Sequence, residues 1–196
     1  MSWKRWLLLA VVAWFAFQQW SGRPVSRPPG VVAAQVPDQS PVADDLVFKL
    51  GEYQAKALHS FDITARVLGA EHYRKGWEST LSPVDLALGW GRMSDTAVLD
   101  EIDISQSGRF YFWKVQSFPI PRREIEQSSA NMHMVPATDR LASVLKNVRE
   151  GQVVRVQGYL VNITGPDGRY WNSSVTRDDT GRGACEVIYV ESVDVL

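Results

Sequence analysis

QVVRVQGYLVNIT, residues 152–164, sets the architecture of the last third of this chain. It reads as a β-strand that a Gly-Pro-Asp-Gly turn at 165–168 folds back onto RYWNSSVTR, giving a hairpin. After the loop DDTGRG, the segment ACEVIYVESVDVL supplies a third strand. Working upstream, HSFDITARVLG alternates cleanly. Phe61, Ile63, Ala65 and Val67 point one way while Asp62, Thr64 and Arg66 point the other, the mark of a half-buried strand. IDISQSGRFYFWKV predicts two strands around residues 106–109, and the run Phe110 to Trp113 must put two aromatics on each face. One pair is expected in the core, and the other over a second layer or along a groove. SSANMHMVPA reads as extended chain.

Two short helices are expected among these strands. In TDRLASVLKNV, Thr138 is the N-cap, and Leu141, Val144, Leu145 and Val148 share one face. In LSPVDLALGWGRMSD, Ser82 has the character of an N-cap, Pro83 suits the first helical position and Asp85 falls near the positive helix end, so a short helix closed by Gly89 or Gly91 is expected.

The first twenty residues differ in kind. Lys4 and Arg5 precede an uncharged run from Trp6 to Trp20, the layout of an export signal or signal anchor. No small-residue cleavage site follows promptly, so retention as a single membrane helix is expected, with a bacterial inner-membrane location and the body in the periplasm. Residues 21–45 are rich in Pro and small residues and read as an extended tether. Residues 46–196 then form one globular domain. The expected fold class is α+β: a membrane helix, then a compact, bent antiparallel sheet with two short helices.

Of the chain's 21 basic residues, Lys4, Arg5, Arg23 and Arg27 lie in the first thirty, whereas none of its 22 acidic residues does. The rest of the chain is therefore acidic by five charges, which argues against nucleic acid as a partner. One cysteine excludes an internal disulfide. His59, His72 and His133 show no metal-ligand spacing, and nucleotide-binding glycine motifs are absent, so neither a metal nor a cofactor is expected.

The strings GQVVRVQGYLV and CEVIYVESVDVL resemble the strands of OB-like barrels. More widely, SPVDLALGWGRMSD, ISQSGRFYFW, SANMHMVPA and SSVTRDDTGRGACE are similar to a group of uncharacterised proteobacterial envelope proteins with an N-terminal hydrophobic segment. That resemblance implies an envelope setting and carries no activity.

Two functions compete. The first is a membrane-tethered periplasmic accessory protein that docks a partner protein or envelope ligand through Trp90, Trp113 or Trp171 and the Gly-rich loop carrying Arg182. The second is an envelope cysteine-dependent hydrolase or transferase in which His133 activates Cys185. Against the second stands the ordinary role of a lone cysteine as a small buried hydrophobe opening a strand beside Val187 and Tyr189.

Overall fold

The structure, a computed structural model, describes residues 3–176 and 184–196; the side chains at 13 and 15–21 fall outside that description. Helix α1 (Trp3–Ser21) precedes strands β1 (Asp38–Pro41), β2 (Val47–Leu50) and β3 (Tyr53–His72). Helix α2 (Glu78–Leu81) and β4 (Val84–Gly89) come next, then a 3-10 turn (Gly91–Ser94), α3 (Thr96–Leu99) and the strands β5 (Ile102–Ser107) and β6 (Phe110–Val115). The chain continues through α4 (Arg122–Gln127), β7 (Ser129–Pro136), α5 (Asp139–Leu145), β8 (Val153–Thr164), β9 (Tyr170–Trp171) and β10 (Glu186–Val195).

β3 organises the sheet. Its twenty residues pair with β1, β2, β4 and β8 in turn, and register shifts at Ala57/His59 and Val67/Gly69 bend it between these partners. Bulges of this kind increase local twist and redirect a strand. Neighbours then run β3-β4-β7-β10-β8 and return to β3. The alternating residues of those strands fill the enclosed space: Phe61 and Ile63 from β3, Leu86 and Leu88 from β4, Met132 and Met134 from β7, Leu160 and Ile188 from β8 and β10. Leu145 and Val148, in and just after α5, join this core, and Thr138 caps the helix by accepting from the Leu141 N–H at 3.3 Å, as its sequence led one to expect.

Three expectations need correction. The chain is not α+β: strand accounts for 44% of the structure and helix for 20%, and the sheet is mixed, because β7 and β10 run parallel. VDLALG is a strand rather than a helix, with every residue of β4 buried. A strand covered on both faces has no polar alternation, and its apolar run cannot be told from a buried helix by pattern; the Ser-Pro signal at 82–83 was local and lost to sheet pairing. Third, no helix among the described residues is long and apolar enough to cross a membrane. The apolar part of α1 lies between Arg5 and Gln18, short of the roughly 20 residues that a bilayer requires. The basis for a single-pass inner-membrane anchor with a periplasmic body is thereby removed.

The stretch expected to be a tether is strapped to the body instead. Val25 N–H donates to the Glu150 carbonyl at 2.8 Å and Arg27 Nε to the Gly151 carbonyl at 2.7 Å. Farther along, Gly30 N–H donates to Asp95 Oδ1 at 2.7 Å, and Ala33, almost fully buried, donates its N–H to the Ser94 hydroxyl and accepts from the Gly91 N–H. Gly151 is fitted to this strap: its φ is +81°, and a Cβ there would fall 1.9 Å from the Val25 carbonyl oxygen.

Across the β3–β8 seam, Arg155 donates through Nε and a terminal nitrogen to the Asp62 carboxylate at 3.1 and 2.6 Å, and Gln157 adds a third bond at 2.8 Å. The hydrogen bond from Arg155 is the main reason that the Asp62 carboxyl sits below its ordinary pKa. A depressed carboxyl pKa stabilises the fold above the unfolded value and loses that contribution as pH falls through the folded one. Because the pair is partly exposed, solvent screens it and its contribution is small. Asp62→Asn should lower stability slightly at pH 7, and the difference from the parent should vanish in urea titrations repeated below the pKa of Asp62.

Candidate functional site

The outer face of β4 and β7 carries the most concentrated polar chemistry of the described residues. Asp85 and His133 are partners in the β4–β7 register, and both point away from the core that their neighbours Val84, Leu86, Met132 and Met134 fill. Asp85 is fully buried, so its carboxylate demands charged or hydrogen-bonded partners. Arg109 supplies them from above. It sits in the two-residue turn between Ser107 and Phe110, where Gly108 and Arg109 both have positive φ, 58° and 72°. This is the turn geometry that matches hairpin twist, and Arg109 is the one non-glycine residue with positive φ among those described.

From that turn the guanidinium reaches down. One terminal nitrogen lies 2.6 Å from Asp85 Oδ1, and the other donates to the Ser82 carbonyl at 2.9 Å. Its plane lies over the Tyr73 ring at 3.9 Å and faces Trp171 at 5.4 Å. The Arg109 N–H donates to the Tyr73 hydroxyl at 2.9 Å, and burial raises the pKa of that phenol. Asn131 knits the remainder: its Nδ2 donates to the Arg109 carbonyl at 3.1 Å and to Asp85 Oδ2 at 3.4 Å, while its Oδ1 accepts from Gln106 Nε2 at 2.7 Å. The hairpin β5–β6 is thus bolted to the sheet by a buried, almost fully satisfied network.

His133 is the exception in that network. Its Nδ1 lies 2.9 Å from Asp85 Oδ2 but without hydrogen-bond geometry, and its ring packs 4.7 Å from that of Trp171. At 3% exposure it has no open side for a substrate. Cys185 meets the network elsewhere: its Sγ is 3.9 Å from the Arg109 carbonyl oxygen, and the residue is half-buried. The two residues singled out in the sequence therefore border one cluster, Cys185 through Arg109 and His133 through Asp85.

The aromatic candidates scatter. Trp90 is 1% exposed and belongs to the core inside the sheet, where it cannot meet a partner. Trp113 packs half-buried beneath the hairpin beside Phe118. Trp171 stands against His133, Arg109 and Trp77. Arg182 lies outside the described residues. Phe110 and Phe112 do reach solvent, 39% and 52% exposed on the outer face of β6, with Phe118 at 53% just beyond; Tyr170 of β9 and Trp3, Trp6 and Trp14 of α1 are exposed as well. Tyr111 and Trp113 take the opposite face and pack on Leu68, Ala87 and Ile102. Among the described residues no group of three or more His, Cys, Asp or Glu gathers to hold a metal.

Asp85, Arg109 and Asn131 escaped the sequence reading. The available signal was Asp85 itself, a single charge within the apolar run VDLALG, which would demand a partner once that run is read as a strand. No protein-family model, curated protein or solved structure matches the chain, so the site stands on its geometry.

Removing one member of a buried pair strands the other charge, at a cost of about 3 kcal/mol or more. Asp85→Ala should lose that much in chemical denaturation, and the double variant Asp85→Ala/Arg109→Met should recover part of it. Equal losses in the two proteins would mean that the pair is not the bolt.

Proposed function

We propose that this protein is a binding or accessory module that docks a partner protein through the outer face of hairpin β5–β6. The observation that carries the reading is the pairing of Phe110 and Phe112, exposed on one strand, with a buried ion pair made from the turn of that same hairpin. Exposed aromatics on a rigid support lose little conformational entropy on binding, which is the physical basis of interface hot spots. The scaffold fits this role. The ring of five strands, with β7 and β10 parallel and α5 inserted between β7 and β8, supports a barrel of OB-like order, a framework that keeps its loops and attached hairpins in fixed positions.

The competing enzyme reading rests on Cys185 and His133. It draws support only from their common border with the Asp85–Arg109 cluster, and the enclosure of His133 by Trp171 weighs against it.

A photoreactive amino acid placed at position 112 in the cell that makes the protein should yield a discrete crosslinked adduct, whereas the same group at exposed Val47 should not. Cys185→Ser should leave the adduct unchanged, and Phe110→Ser should reduce it several-fold with stability altered by no more than about 0.5 kcal/mol. Equal adducts at 47 and 112 would overturn the docking assignment.

A further inference from the structure

A second surface is built differently. A cleft of about 790 Å³ opens where the β2–β3 turn, α2, the end of β7 and the start of α5 meet. Its floor is apolar and aromatic, with Tyr53, Trp77 and Val135 among the lining residues. The Tyr53 and Trp77 rings are parallel to within 14° at a centroid distance of 5.6 Å, and Trp171 packs edge-on against Trp77 at 6.0 Å. Trp77 is thereby clamped, half-exposed, as a fixed flat surface in the cleft.

The rim carries charge of both signs. Glu52 and Asp139 contribute carboxylates, Lys146 an ammonium and Arg169 a guanidinium. Arg169 is held by Asp167 at 2.9 Å. The carboxylates of Glu52 and Asp139 and the ammonium of Lys146, in contrast, engage no other described residue. A carboxylate only accepts hydrogen bonds and an ammonium only donates them, whereas each hydroxyl of a diol does both. An anionic ligand would meet Glu52 and Asp139; a cationic one would meet Lys146 and Arg169. An extended peptide would need a free strand edge for its backbone, and this cleft is walled mainly by turns and helix ends. A neutral polyhydroxylated ligand satisfies all of these conditions, since its hydroxyls suit the mixed rim and its C–H faces suit the indole. The volume lies in the range of small-ligand sites.

We propose that this cleft is a binding site for a neutral oligosaccharide, stacked on Trp77 and hydrogen-bonded by Glu52, Asp139 and Lys146. The site is separate from the hairpin, and its occupation does not depend on partner docking.

The test is titration of the full chain with cellotetraose and with chitotetraose, read by tryptophan fluorescence and by saturation-transfer NMR. Saturable binding of at least one, weakened tenfold or more by Trp77→Ala, threefold or more by Asp139→Asn and much less by Trp77→Phe, is the expected result. Phe112→Ser should leave these titrations unchanged whether or not it abolishes partner docking, so the two readings fail independently. Absence of saturable binding to both sugars at about 10 mM, a concentration above the millimolar dissociation constants of weak binding, would overturn the assignment. Binding indifferent to Trp77→Ala, or a proline-rich peptide that saturates the cleft where the sugars do not, would overturn it equally.

Discussion

The contact between Arg109 and Asp85 determines how the outer half of this molecule is assembled. A carboxylate buried near the start of β4 is a liability unless a cation reaches it, and Arg109 reaches it from outside the sheet. The cation comes from a tight turn that places a non-glycine residue at positive φ, so two locally unfavourable features satisfy each other across the layer. Around them, Asn131 and Gln106 use their amides to link strand to hairpin, and Tyr73 and Trp171 flank the guanidinium. The inner core lies within the ring of strands. The network, with the apolar cluster beneath Tyr111 and Trp113, seats the hairpin on its outside.

That division between core and bolt also separates two apolar clusters outside the ring. One, around Leu68, Met93, Ile120 and Ile125, lies beneath the hairpin; the other, around Val161, Ile163 and Val187, lies beneath Tyr53, Trp77 and Trp171. The hairpin face and the cleft are thus neighbours on one scaffold with different chemistry: a bare aromatic surface on one side, an aromatic floor with a charged rim on the other. Surfaces of the first kind suit a protein, and those of the second suit a small polar ligand.

Much of the fold was legible where burial is one-sided. β3, β6 and the capped helix α5 follow from alternation or from a 3.6-residue period, and the two-and-two division of Phe110 to Trp113 followed from strand geometry alone. β4 was not legible, because its burial on both faces erased the alternation and left a capping signal to mislead. The strap was misread for a related reason: proline-rich chain has no periodicity whether it hangs free or lies against a surface through its backbone. His133 and Cys185 were found because their side chains are chemically rare. Asp85, Arg109 and Asn131 are common residues whose significance arises only from a register and a turn that bring them within hydrogen-bond distance.

The strap has a mechanical consequence. Because the backbone of residues 25–33 is bonded at successive points to Glu150, Asp95 and Ser94, with the Arg27 side chain adding a bond to Gly151, a pull on α1 does not reach the sheet all at once. The load falls first on the bond between Val25 and Glu150, then on those at Gly30 and Ala33, and only afterwards on β1, whose four residues lie antiparallel to β3. Such a series of small attachments yields one step at a time. Under a pull applied at α1, the strap would part before the ring of strands opens.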